Sequence, residues 1–329
     1  MPLISIIIPC FNESEVMLRL QHEMTKLTAA INDDDLEILL VDDGSQDDTW
    51  AQIISYAQSN HRVRAFQLSR NFGHQAAITC GYQEARGDAV VCLDADMQDP
   101  PEVVLDMLRE WRAGSDIVLG KRISRDGETL FKLLTAKVFY RLLQLVADIR
   151  LTPDAGDFRL MSRRAVDAFN RLGERRRYIR GMVSWIGYNV SVVEYKRKPR
   201  IAGKTKFSPA RMLAFATDGL LSFSFAPLRL AFGFAIIGSL PILIYLAYSF
   251  ARHIYFHGHF EPGWASLMLT ITIFSVLNLL CMGIVGEYVG RLYDEVKGRP
   301  LYLLSDVVET DPSESSLRLD DQALPGGDV

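Results

Sequence analysis

The residues with the clearest chemical potential lie in Leu93-Asp94-Ala95-Asp96-Met97-Gln98-Asp99, where an apolar run ends in two carboxylates one residue apart. On an extended chain, residues i and i+2 project to one face, so Asp94 and Asp96 converge on a single site. Converging carboxylates repel each other unless a cation sits between them. Hard oxygen donors suit Mg2+ or Mn2+, ions that hold phosphate oxygens and act as Lewis acids. The pattern is short, and a turn or a helix cap would use the same residues. Asp99 before Pro100, Pro101 and Glu102 reads as a helix start.

Two more polar clusters follow apolar runs. Residues 37–41 lead into Asp42, Asp43, Gly44 and Ser45, then Asp47, Asp48 and Thr49. Carboxylates at a strand end accept hydrogen bonds from a base or from ribose hydroxyls; a glycine turn with Asp47 or Asp48 as N-cap accounts for the same residues. Pro9, Cys10, Phe11, Asn12 and Glu13 close the first apolar run, and Glu13 suits either a ribose or a helix cap.

The elements that must position these clusters alternate along the first ~125 residues in a βαβα manner. Strands are expected at 3–8, 37–41, 63–68, 89–93 and 116–119, with helical patterns at 15–31 and 49–59. Near-continuous apolar strands separated by helices imply a parallel sheet covered on both faces. Ligands of such sheets bind outside the carboxyl ends of the strands, where all three clusters fall.

The 329 residues suffice for one α/β domain with an appendage. A net charge of −4 gives no electrostatic case for nucleic acid. Cys10, Cys80, Cys92 and Cys281 are scattered and form no CxxC pair, which excludes a disulfide framework and a zinc site and fits reduced, buried thiols. The N-terminus lacks the basic region and cleavage site of a signal peptide.

The last third changes character. Segments at about 229–251 and 264–287 are apolar and long enough to cross a bilayer core of ~30 Å. Arg200, Lys204, Lys206, Arg211 and Arg229 precede the pair; Arg291, Lys297 and Arg299 follow it; the intervening loop holds only Arg252. This asymmetry puts both chain ends in the cytoplasm. Amphipathic stretches at about 128–151 and 208–223 suit either the membrane interface or packing on the domain. The expected organisation is a domain at 1–226, two membrane helices within 227–290, and a tail at 291–329 that is acidic and disordered after Val307. His253, His257 and His259 fall in the loop and His74 at a helix start, so neither group is taken as a ligand set; Glu287 reads as interfacial.

The ordered set Pro9–Glu13, Asp42–Ser45 with Asp47 and Thr49, Arg70–Gly73, and Asp94–Pro101 resembles family 2 glycosyltransferases of the GT-A fold. Over roughly residues 3–300 it is similar to the polyprenyl-phosphate glycosyltransferases, which include the GtrB-type glucosyltransferases and dolichol-phosphate mannose synthase. The resemblance implies a GT-A domain, interfacial helices and two membrane helices. It implies a nucleotide-sugar donor, with UDP-glucose preferred, and undecaprenyl phosphate in the bilayer as acceptor. It also implies inversion at the anomeric carbon and a homo-oligomer, tetrameric in the resembling proteins. Pro9, Phe11, Glu13 and Asp42 would line the nucleoside pocket. Asp94, Asp96 and Gln98 would hold the metal and the diphosphate, with Lys121 and Arg122 beside the donor. Phe11 stands where many relatives carry tyrosine.

On the acceptor side, the same resemblance places Asp157 near the reacting sugar; Asp154 fits the motif less well. Asp157 is either a base or a group that orients the acceptor or stabilises an oxocarbenium-like sugar. A phosphate monoester is largely ionised at neutral pH, with a second pKa of about 6, and needs no base to attack. Arg200, Lys204 and Ser208 would contact the diphosphate or the lipid phosphate, since guanidinium and ammonium groups suit phosphate oxygens; attraction to an anionic membrane surface would use the same charges. A processive polysaccharide synthase would carry a Q-x-x-R-W segment, and Arg180 to Trp185 does not match it. No strand leads into G-x-G-x-x-G, which disfavours a dinucleotide oxidoreductase. A silent membrane scaffold has no use for converging carboxylates.

Overall fold

The computed structural model describes residues 1–31, 35–123, 155–175, 177–197 and 263–309, with isolated helical residues between 228 and 251. The chain divides into two units, one formed by residues 1–144, 149–213 and 299–329, the other by 145–148 and 214–298.

In the first unit the expected βαβα succession is present. It runs β1 (Leu3–Cys10), α1 (Met17–Ala30), β2 (Asp35–Asp42), α2 (Thr49–Ser59), β3 (Val63–Leu68), α3 (His74–Glu84), β4 (Ala89–Cys92), α4 (Val103–Arg112) and β5 (Ile117–Arg122). It continues through β6 (Ala155–Ser162), α5 (Arg163–Asn170), α6 (Ile179–Ile186) and β7 (Val190–Tyr195), and closes with β8 (Leu304–Val308). The eight strands form one sheet in the order β7-β5-β6-β4-β1-β2-β3-β8. β1 is central, and Ile4, Ile6, Ile7 and Ile8 have no exposed surface, so both faces of the strand are covered. Each such side chain contributes about 1.5–3 kcal/mol by burial. α3 lies directly on β1 because Gly81 has no side chain; a Cβ there would stand 2.1 Å from Cγ2 of Ile7.

The sheet is mixed: six strands run one way, in keeping with a mostly parallel sheet, and β6 and β8 run against them. β1 pairs in parallel with β2 and β4, β2 with β3, and β5 with β7. β6 runs antiparallel between β4 and β5, and β8 antiparallel to β3. Sequence patterning missed β6 because its buried face carries Asp157 and Arg159, charges that read as loop. It missed β8 because a five-residue edge strand gives a weak periodic signal. β8 joins this sheet from beyond the apolar segments: Val307 and Val308 pair with Phe66 and Ala65. Residues from 310 onward lie outside the described set.

The second unit holds α7 (Trp264–Val296), a helix of 33 residues. At 1.5 Å per residue it is ~50 Å long, more than a bilayer core requires. Leu269, Phe274, Val276, Leu279 and Met282 are exposed around it, and a helix apolar on all sides suits lipid. Glu287 pairs with Arg291 at 3.1 Å near its polar end. The described residues between 228 and 251 are helical, but a second complete span is not established. The amphipathic stretches, Asp154, Arg200, Lys204, Ser208 and the three loop histidines lie outside the described residues.

Cys10, Cys80 and Cys92 are buried and form no disulfide. Burial pushes Cys10 and Cys92 well up, which removes them as nucleophiles.

Candidate active site

The chain leaves β1 towards β2 on one side, while β4 returns to its other side. This reversal is a topological switch point, and the strand ends there open a crevice. Pro9 closes β1 where pairing with β4 has already stopped at Ile7, so its missing N–H costs no ladder bond on that side. Beyond it Asn12 takes a left-handed conformation, with φ 53°. Its backbone N–H donates to Ser45 Oγ at 2.9 Å, and its Oδ1 accepts from the Gln46 N–H at 2.9 Å. Glu13 N–H donates to Thr49 Oγ1 at 2.9 Å, and Asp47 accepts from the N–H groups of Ser14 and Thr49. These bonds lock the β1 loop onto the β2 loop.

Asp42 and Asp43 hold the second loop from inside. Asp42 has no exposed surface; it accepts from the Ser45 hydroxyl, the Ser45 N–H at 3.2 Å and Gln67 Nε2 at 3.1 Å. Asp43 accepts from the N–H groups of Phe72 at 2.7 Å and Gly73 at 3.0 Å. Burial raises the Asp43 pKa, and those two backbone donors oppose the rise. Gly44 has φ +69°, and a Cβ there would lie 2.5 Å from the Arg70 carbonyl carbon. The acids around Gly44 thus join the Arg70–Gly73 segment to the β2 loop. Phe11 and Glu13 remain half-buried at the crevice, and Pro9 is buried behind them.

The second cluster follows β4. Asp94 and Asp96 are half-buried, and Gln98 is buried. Met97, between Asp96 and Gln98, has φ 52°, while its side chain is 2 % exposed in the core. A buried anchor at a left-handed non-glycine residue holds strain of ~1–3 kcal/mol, which fixes the turn. Gln98 N–H donates to Asp96 Oδ1 at 3.1 Å. Asp99 is fully buried and is not a bare helix start: it accepts from Tyr195 Oη at 2.7 Å and lies 3.4 Å from Arg122 Nη2 and 3.3 Å from Arg197 Nε. Burial disfavours the Arg122 charge, but Asp99 outweighs it and raises the pKa.

Asp157 comes from β6. Cys92 pairs with Arg159 across the antiparallel ladder, and extending that register two residues sets Asp157 opposite Asp94. Arg159 Nη2 donates to Asp157 Oδ1 at 2.8 Å; Arg180 donates from Nε to Oδ1 at 3.2 Å and from Nη2 to Oδ2 at 3.1 Å. His74 Nε2 lies between the two acids, 3.6 Å from Asp94 Oδ1 and 3.8 Å from Asp157 Oδ2. The two carboxylates titrate apart. Asp94 is pushed up to about 6, first by burial and then by Asp157, Asp99 and Asp96, against a lowering by His74. Burial also raises Asp157, but Arg180 and Arg159 overcome it and hold the group well below the usual carboxylate range.

His74, Arg159 and Arg180 were not selected from the sequence. His74 opens α3 after Gly73, and Arg180 stands in the second position of α6; neither has a signature beyond its place in the fold. Lys121 does not join Arg122. Successive strand residues face opposite sides of a sheet. Lys121 instead pairs with Glu194, its register partner on β7, at 2.7 Å in a solvent-exposed position.

Among the described residues no group of three or more His, Cys, Asp or Glu side chains forms a complete metal site. The donors present still fit a hard divalent ion. Asp94 and Asp96 offer carboxylate oxygens beside two further acids, and a Mg2+ there would draw the rest of its shell from phosphate and water.

The profile of glycosyl transferase family 2 matches residues 5–169. An uncharacterized glycosyltransferase of Synechocystis is 42 % identical over 306 residues, 92 % of this chain and 95 % of its own length. The SfII prophage-derived bactoprenol glucosyl transferase of Shigella flexneri is 36 % identical over 301 residues, 92 % of this chain and 97 % of its own. Glucosyl-3-phosphoglycerate synthase from Mycobacterium tuberculosis superposes with a TM-score of 0.44 at 18 % identity, covering 67 % of this chain and 78 % of that one. The matched residues run through the mixed α/β sheet from β1 to α5 and include the acids at its switch point. The chain belongs to glycosyl transferase family 2 and is related to the bactoprenol glucosyl transferases.

Proposed function

We propose that the protein transfers a sugar, glucose from UDP-glucose, to undecaprenyl phosphate at the cytoplasmic membrane face, with inversion at the anomeric carbon. The observation that carries this reading is the facing pair at the ends of β4 and β6: Asp94 short of positive charge, Asp157 held ionised by two guanidiniums.

The β1 and β2 loops hold the nucleoside, with Phe11 and Glu13 against it and Asp42 behind Ser45. Asp94, Asp96 and Gln98 would hold a Mg2+ or Mn2+ ion, which when bound would supply Lewis-acid stabilisation of charge on the departing diphosphate. An acceptor phosphate oxygen attacks the anomeric carbon, and the sugar–phosphate bond breaks with its electron pair leaving on the nucleoside diphosphate. The attacking oxygen is already ionised at neutral pH. A carboxylate gripped by Arg159 and Arg180 is a poor proton acceptor, so Asp157 orients the reactants and stabilises positive charge on the sugar. Arg122, Arg200 and Lys204 neutralise the phosphates, and Ser208 donates a hydrogen bond to them. α7 anchors the enzyme where the lipid phosphate lies, and both chain ends face the cytoplasm.

A donor screen tests this. Purified protein in detergent receives Mg2+ or Mn2+, a short polyprenyl phosphate and radiolabelled UDP- and GDP-sugars in turn. Transfer to lipid from one donor, abolished by EDTA and by Asp96→Ala, is expected. Folded protein that gives no lipid product with any donor refutes the reading.

A further inference from the structure

The segment that follows α7 returns to the catalytic sheet, and its contacts reach the nucleotide loops. It is fixed at several points. Tyr302 Oη donates to Gln83 Oε1 on α3 at 2.6 Å, and the Leu303 carbonyl accepts from Ser69 N–H at 2.8 Å. The Glu309 side chain, 1 % exposed, pairs with Arg64 at 2.9 Å and Arg86 at 3.0 Å. Between these anchors the β3–β8 ladder is irregular: Gln67 pairs with Asp306 and Leu68 with Leu304, leaving Ser305 as the extra residue. Bulges re-aim side chains, and this one turns the Ser305 hydroxyl onto Gln67, 3.1 Å from Oε1 and 3.3 Å from its carbonyl oxygen.

Gln67 has two different ends. An ionised carboxylate only accepts, so Asp42 takes the amide Nε2, at 3.1 Å, and the amide oxygen turns away and needs a donor. Ser305 supplies it. Asp42 in turn holds the Ser45 hydroxyl and N–H, and Ser45 Oγ accepts from the N–H of Asn12, the left-handed residue between Phe11 and Glu13. We propose that Gln67 and Ser305 are positioning residues for the donor: the strand after the membrane helix sets the nucleoside loops through Ser305, Gln67, Asp42 and Ser45. The inference rests on the nucleotide reading of those loops. It implies that donor affinity depends on a segment beyond the last apolar helix, remote in sequence from every donor-site motif.

The test uses the full chain in detergent, with Gln67→Ala, Ser305→Ala, Ser305→Thr and the double alanine variant. Nucleoside diphosphate binding is measured by calorimetry with UDP, GDP, CDP and ADP, alongside donor KM, acceptor KM, kcat and thermal unfolding. A lost hydrogen bond to a charged group predicts donor Kd and KM about tenfold higher in Gln67→Ala and about threefold higher in Ser305→Ala. kcat and acceptor KM stay within about twofold. Ser305→Thr keeps the hydroxyl and stays near the parent. The double variant matches Gln67→Ala alone, because the two residues act in series. Unchanged donor binding in Gln67→Ala, additive effects, or equal loss in Ser305→Thr overturns the inference while the proposed function stands. A parent chain that binds none of the nucleotides overturns both.

Discussion

Asp94 and Asp157 face each other across the ends of β4 and β6, are of one residue type, and are both raised by burial, yet their pKa values end shifted in opposite directions. The difference is supplied by their neighbours. Around Asp94 stand three more carboxylates and one histidine; around Asp157 stand two arginines that grip both oxygens. The protein completes the electrostatics of one acid and leaves the other incomplete. On the proposed function, the incomplete acid beside Asp96 is where a cation would arrive with the donor. A completed acid is a fixed negative charge that neither moves a proton nor needs one.

The most severe disruption is expected on the incomplete side. Asp96→Ala removes a proposed ion ligand, and loss of several kcal/mol of transition-state stabilisation should lower turnover about 10³-fold. Steady-state transfer assays check it, and turnover that survives intact would remove the cation from the comparison. Next is Arg159→Met. Arg159 is 1 % exposed, and leaving Asp157 without a buried partner costs about 3–5 kcal/mol in denaturant unfolding. Arg180→Met is milder, about 1–3 kcal/mol, because 33 % of the Arg180 side chain is exposed to solvent and the pair is partly screened. If the two variants cost the same, solvent exposure is not what separates them.

The two acids also give opposite pH dependences. An unfolded aspartate titrates near 3.9, and Asp94 near 6 when folded. Between those values the folded state binds more protons, so metal-free stability contributed by Asp94 falls as pH rises from about 4 to about 6. Asp157 is depressed, so its contribution is present above about 4 and is lost only as pH falls below that. Asp94→Asn should therefore stabilise the metal-free protein at pH 7 relative to its parent and lose that advantage at about pH 4. Thermal unfolding across the range measures this, and a parallel offset at both ends would contradict the raised pKa.

The unequal pair was half legible in the sequence. Asp94 and Asp96 follow an apolar strand and announce themselves by spacing, as do the β1 and β2 loops, because parallel strands end where ligands bind. What completes Asp157 is not local. Arg159 is its neighbour on β6, but β6 alternates buried charges where strand patterns alternate buried apolar groups. Arg180 arrives from a helix 23 residues later, and His74 from the start of α3. Tertiary placement alone joins them. β8 was illegible for a related reason: its pairing partner, β3, lies on the far side of the apolar segments.

The smallest effect is expected at Lys121, and it tests how finely the sheet sorts charge. Lys121 and Arg122 are consecutive, basic and at the same strand end, so sequence alone cannot rank them. The pleat sends them to opposite faces. Arg122 reaches Asp99, which is fully buried, and Arg122→Ala should cost about 1–2 kcal/mol and weaken transfer. Lys121 meets Glu194 with both side chains in solvent, 37 % and 54 % exposed, where an ion pair contributes at most ~0.5–1 kcal/mol. Lys121→Ala should leave transfer unchanged and shift stability by less than ~0.5 kcal/mol, a shift that vanishes in high salt. A tenfold loss of transfer in Lys121→Ala would mean that the cationic flank of the site extends across both faces of β5, and that the contrast between completed and incomplete charges does not stop at the acids.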